Sequence, residues 1–142
     1  MNTANKIIAF FNQLESPVIS TLEVEVLNPF LRKETKEIVS TFYSKYYSDN
    51  ENRLAFIGIN PGRLGSGLTG IGFTDPVNLE SVCGIENSFN KKHELSSRFV
   101  YEMIESFGGV EAFYKDVYIS SVVPLGFVKR DKNLNYYDIK EL

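Results

Sequence analysis

The sequence holds one cysteine, Cys83, and one histidine, His93, in 142 residues. A lone thiol cannot build an internal disulfide framework. With no second thiol and no histidine cluster beside it, there is also no donor set for a structural zinc ion. No metal and no cofactor is expected. Long apolar runs are missing as well, since nothing approaches the roughly 20 consecutive apolar residues that span a bilayer. The N-terminus, MNTANKIIAFFNQLES, lacks the basic start, apolar centre and small-residue cleavage site of a secretory signal. These absences predict an intracellular, cytoplasmic protein with no membrane partner. Nor is there a basic excess: 15 Lys and Arg stand against 18 Asp and Glu, for a formal net charge of -3. That balance argues against an indiscriminate polyanion binder and confines any nucleic-acid contact to a local basic surface.

What is present suffices for a core. With 43% apolar and 13% aromatic residues, the chain reads as one domain over 1–142. Ile7, Ile8, Phe10, Phe11 and Leu14 recur at helical spacing and predict a helix over 3–14, ended by Ser16 and Pro17. VEVLNPF is short and extended, and a second helix is expected over 30–47. RLAFIGI is apolar at nearly every position, which suits a strand buried on both faces of a parallel sheet. SSRFVYEMIESFG predicts a helix with Phe99, Met103, Ile104 and Phe107 on one face, stopped at Gly108 and Gly109. A second buried strand follows over 117–123, so strand, helix and strand form a βαβ unit. KRDKNLNYYDIKEL reads as a loop.

The glycine-rich stretch FIGINPGRLGSGLTGIGF, residues 56–73, lies at the carboxyl end of the first of these strands, where ligands of open α/β sheets gather. GSGLTG matches the dinucleotide fingerprint in its letters only. That motif needs its first glycine directly after the strand and a helix opening at its third, whereas here the strand ends at Asn60-Pro61 and IGFTDPV is a poor helix. Asn-Pro-Gly alone reads as a turn. Phe73 either packs into the core or offers its ring to a planar ligand.

Taken together, GINPG, then TGIGF, then a helix and VYISSVVPLGF resemble the single-strand-selective monofunctional branch of the uracil-DNA glycosylase superfamily, from about Leu54 onward. An α/β/α sandwich of three layers with a central, mainly parallel sheet is implied, ending short of the family's later strands. The resemblance implies metal-free excision of uracil or another deaminated base from DNA. It gives Asn60 the part of positioning the hydrolytic water, Ile59, Pro61 and Gly62 the pocket floor, and Phe73 the ring that stacks on the flipped base.

Two departures accompany it. Where the family has an asparagine that reads the base edge, this chain has Ser121. A hydroxyl cannot present the paired pattern of an amide, so xanthine or hypoxanthine joins uracil as an expected substrate. Alternatively, Ser121 bonds a neighbouring backbone group. The family's later histidine motif is absent, and His93, among charged and polar neighbours, is assigned no catalytic part. Arg63, Lys129, Arg130 and Lys132 are the expected phosphate contacts. An uncovered sheet edge would permit self-association. The competing expectation is a non-catalytic module that keeps the pocket to bind a base, a nucleotide or a partner.

Overall fold

The structure is a computed structural model that describes residues 1–20 and 23–142. Helix α1, Thr3–Asn12, opens where the Asn2 side chain accepts a hydrogen bond from the Asn5 N–H at 2.9 Å. That bond satisfies one of the N–H groups left free at a helix start. Strand β1, Val24–Leu27, leads to a 3-10 turn over Pro29–Leu31 capped by Asn28. Helix α2, Lys33–Tyr46, therefore begins three residues after the predicted start. Its buried residues, Thr35, Ile38, Val39, Phe42, Tyr43 and Tyr46, recur at the three- and four-residue steps of one helix face. Phe11 stacks on Phe30 with ring centroids 4.5 Å apart, and this pair ties α1 to the turn before α2.

Strands β2, Leu54–Gly58, and β3, Val117–Ser121, pair in parallel from Leu54 opposite Val117 to Gly58 opposite Ser121. Four helices lie between them: α3, Ser66–Thr69; α4, Pro76–Ser81; α5, Leu95–Phe107; and α6, Val110–Asp116. The predicted βαβ connection is thus present, with α5 ended by Gly108 at φ 129°. Tyr47 anchors α2 to the sheet by donating its hydroxyl hydrogen to the Val117 carbonyl at 3.0 Å, inside the core.

Several expectations need correction. β2 is not buried on both faces: Leu54 is 68% and Ile57 53% exposed. It pairs with β3 alone among the described strands, so its second edge and much of its apolar surface stay open. In α5 the buried residues are Ser97, Val100, Tyr101 and Ile104, while Phe99 and Phe107 are exposed. The helix turns its other apolar stripe outward, beside the open flank of β2. As expected, no helix opens at Gly70: IGFTD is non-helical, and α4 begins only at Pro76. Asp75 caps it by accepting from the Asn78 N–H at 2.8 Å, and Pro76 occupies a first-turn position that needs no N–H donor. The C-terminal segment is not a loop. Strands β4, Gly126–Lys129, and β5, Lys132–Leu134, form a hairpin that pairs antiparallel with β1. Instead of one mainly parallel sheet, the described residues form a parallel pair and a separate antiparallel sheet in the order β1-β4-β5. No helix among the described residues is long and apolar enough to cross a membrane.

Candidate base-binding pocket

Pairing between the two parallel strands continues past their ends. Val122 donates to the Gly58 carbonyl at 2.9 Å and Val123 to the Ile59 carbonyl at 3.2 Å, which fixes the direction in which the chain leaves β2. The next side chain, Asn60, is held at both ends. Its amide NH2 donates to the Leu134 carbonyl at 3.0 Å, and its Oδ1 accepts from the Tyr136 N–H at 2.8 Å. Only one orientation of the amide satisfies both partners, because a backbone N–H can only donate and a carbonyl can only accept. Asn60 thus fastens the segment after β5 onto the end of β2.

The Gly62 carbonyl then accepts from the N–H of Gly65 at 3.3 Å and of Gly67 at 3.0 Å, curling the chain into α3. Past Gly70 the backbone doubles back and presents Phe73 at φ 53°, in the left-handed region that bulky residues avoid. Such a conformation costs about 1–3 kcal/mol and persists where neighbours hold it. Here Thr74 supplies the hold. Its hydroxyl bonds the Tyr101 hydroxyl at 2.8 Å, and its carbonyl accepts from the Thr69 hydroxyl at 2.7 Å, both buried. The Phe73 ring lies against Gly58 so closely that a Cβ there would meet Cζ at 2.5 Å.

These elements surround a cavity of about 390 Å³, within the range of small-ligand sites. Of the expected residues, Asn60, Pro61, Gly62, Phe73 and Ser121 line it together; Ile59 does not, and is 45% exposed. The Ser121 side chain makes no hydrogen bond to a described residue, so the expected backbone bond is absent. Arg63 points outward, while its N–H donates to the Asn133 side chain at 2.9 Å. Lys129 and Lys132 face each other across the β4–β5 hairpin, with Arg130 and Asp131 in the turn at φ 49° and 59°. Arg130 is engaged by Glu23, Nε to Oε2 at 3.0 Å, whereas neither lysine nor Arg63 has an ion-pair partner among the described residues. His93 lies outside the cavity lining, with its Nδ1 3.6 Å from the buried Asp75 carboxylate.

Sequence reasoning missed seven lining residues: the polar Ser66, Glu94, Ser96, Asn133 and Asn135, and the apolar Leu95 and Leu134. Glu94 stands at the residue before α5, and its carboxyl lies over the glycine loop: a Cβ on Gly62 or Gly65 would come within 2.5 Å of one of its oxygens. Burial pushes the Glu94 pKa up, the Ser96 hydroxyl opposes that, the nearby charge of Asp75 adds to it, and the Gly65 N–H opposes it in turn. Asn133 and Asn135 come from the hairpin some 70 positions away, with no local pattern to announce them. Two clefts are larger than this one, about 520 Å³ between α4 and α5–α6 and about 580 Å³ beside the open flank of β2. The first is not served by the glycine loop, and the second is lined mainly by apolar side chains.

The chain matches the family model described as Uracil DNA glycosylase superfamily over residues 44–137. Among solved structures it is similar to the wild-type SMUG2 of Pedobacter heparinus, with a TM-score of 0.91 and 50% sequence identity. That likeness covers 99% of this chain and 63% of the other, so the chain spans less than two thirds of the length of the protein it matches. A comparison with curated protein sequences gives no match.

Proposed function

The chain belongs to the uracil DNA glycosylase superfamily, and from that premise we propose that it serves base excision, hydrolysing the bond between a deaminated base and deoxyribose in DNA. The observation that carries the reading is the convergence of Asn60, Phe73 and Ser121 on one cavity at the carboxyl end of the parallel strands. Extruding a base costs a few kcal/mol, which stacking and hydrogen bonds in a pocket offset. Phe73 provides the stacking face. The uncommitted Ser121 hydroxyl, donor and acceptor at once, meets the base edge and tolerates uracil, xanthine or hypoxanthine. The Asn60 amide is bonded on both sides, but its Oδ1 keeps one lone pair, with which it orients the attacking water.

Pro61 and Gly62 form the floor. Arg63, Lys129 and Lys132 neutralise phosphates at the pocket mouth, and Arg130 joins them by exchanging Glu23 for a phosphate. The setting is the cytoplasm, and no cofactor takes part. The three-layer sandwich belongs to the same proposal: a further layer would cover the open flank of β2, and a second copy of the chain pairing along that edge is the form self-association would take.

The test is a strand-cleavage assay. Single-stranded oligonucleotides carrying one uracil, xanthine or hypoxanthine are incubated with the chain and then treated with alkali, which cuts at abasic sites. The proposal predicts cleavage at the deaminated base, with binding that weakens steeply as salt rises. Binding without cleavage would favour the non-catalytic module, a reading helped by the double engagement of Asn60.

A further inference from the structure

Hydrolysis leaves a proton to be placed. The attacking water must lose one as its oxygen bonds to the sugar, and an amide such as Asn60 is too weakly basic to take it. The cavity contains one carboxyl group, Glu94. Its two oxygens stand in different surroundings. Oε1 accepts a hydrogen bond from the exposed Ser96 hydroxyl at 2.8 Å, and Ser96 also lines the cavity. Oε2 is shielded from solvent beside Gly62 and has no hydrogen-bond partner among the described residues, while both oxygens lie close to Gly65.

The main chain of Glu94 is equally fixed, since its N–H donates to the buried Asp75 carboxylate at 2.9 Å. We propose that Glu94, the carboxyl group lining the pocket, is the catalytic proton acceptor for the water that attacks the sugar, with Oε1 bonded to Ser96 and Oε2 held dry beside the glycine loop. This inference rests on the glycosylase reading of the same pocket.

The shielded Oε2 explains why this carboxylate would be an effective base. A desolvated carboxylate with an unsatisfied oxygen holds a proton more tightly than one in water, and a general base works best with an affinity near the working pH. The surrounding groups are consistent with this. Asp75, at the start of α4, adds a like charge, while His93 faces Asp75. On the loop, the Arg63 side chain is exposed, and from β5 the facing residue is the uncharged Asn133.

The glycosidic C–N bond breaks with its electron pair leaving on the base, and the water oxygen bonds to the sugar carbon. One water proton passes to Glu94. The base anion then takes a proton, from Glu94 directly or through solvent, which restores the carboxylate.

Single-turnover excision is measured across pH for the wild type, Glu94→Gln and Ser96→Ala. Glu94→Gln should slow excision at least 100-fold and abolish the loss of rate at low pH. Ser96→Ala removes a bond that favours the ionised form, so it should shift that loss to higher pH with a smaller effect on the plateau. A wild-type rate in Glu94→Gln, or an unchanged acid limb, overturns the proposal.

A second readout does not need turnover. Oligonucleotides bearing a cationic pyrrolidine in place of the sugar, or its neutral tetrahydrofuran counterpart, are titrated at pH 8 against wild type and Glu94→Gln. The proposal predicts a tenfold or greater preference for the cation that Glu94→Gln loses. Equal preference in both proteins, or none in either, refutes it. Absent excision with the Glu94-dependent preference intact would sink the hydrolase reading while leaving Glu94 as the charge facing the reaction centre.

Discussion

Replacing Asn60 with alanine should do two separable things. The side chain bridges the Leu134 carbonyl and the Tyr136 N–H, so Asn60→Ala removes two hydrogen bonds between segments 74 and 76 residues apart. A typical bond contributes about 0.5–1.5 kcal/mol net. Both sites are only partly buried, so water can replace the lost partners, and the sum should lie near 2 kcal/mol rather than at the higher cost of buried orphans. For a domain of this size that is a fall in Tm on the order of 5–10 °C.

Urea unfolding measures the total, and amide hydrogen exchange localises it: the Tyr136 N–H should exchange at least tenfold faster in the variant, with the core amides of α2 following only the global change. Asn60→Asp is the control. It keeps the acceptor for Tyr136 and puts an oxygen against the Leu134 carbonyl, so Tyr136 protection should be partly retained. Unchanged stability together with unchanged Tyr136 exchange in Asn60→Ala would refute the bridging geometry. Excision should fall much further than stability does, because a loss of about 2 kcal/mol leaves the protein folded.

Gly70→Ala should destabilise by about 2–4 kcal/mol, since Gly70 has φ 73° and a Cβ would lie 2.9 Å from both Thr35 and Val39 side chains; thermal unfolding reads it. Gly58→Ala should displace the Phe73 ring, which a Cβ would meet at 2.5 Å, weakening binding of a deaminated oligonucleotide severalfold with little effect on undamaged DNA. Tyr47→Phe removes the buried bond to Val117 and should cost about 1–2 kcal/mol by urea titration. The raised pKa of Glu94 predicts a slope in stability with pH. The folded state holds this proton more tightly than the unfolded state, so the contribution is full below the ordinary glutamate value and is lost as pH rises through the raised one. Urea titrations at pH 4 and pH 7.5 should show Glu94→Gln lacking that loss.

The parts of the fold written locally were legible. Apolar spacing at Ile38, Val39 and Phe42 marked α2, and Gly108 marked the end of α5. The fully apolar run of β2 signalled a strand and its parallel partner, but burial depends on what covers a strand, and periodicity does not report that. In α5, two apolar stripes compete, and Phe99 and Phe107 were as plausible a core face as Val100 and Ile104. The choice was made by tertiary packing around Tyr101.

In the pocket, Asn60, Phe73 and Ser121 could be anticipated because they share a motif order. Glu94 could not, because a glutamate before a helix is commonplace and only the fold lays its carboxyl over Gly62 and Gly65. The hairpin was hidden for a related reason: Arg130-Asp131 adopts its positive-φ turn without the glycine or asparagine that normally announces one.

In the proposed complex one flipped, deaminated base occupies the cavity between Phe73 and Ser121. The most direct measurement is a backbone amide NMR titration of the chain with a short single strand carrying one uracil, compared with the same strand carrying thymine. Uracil-dependent shifts should concentrate at Asn60, Gly62, Phe73, Glu94, Ser121 and Asn133. Shifts gathered instead along β2 and α5, or identical shifts with the two strands, would contradict that placement of the base.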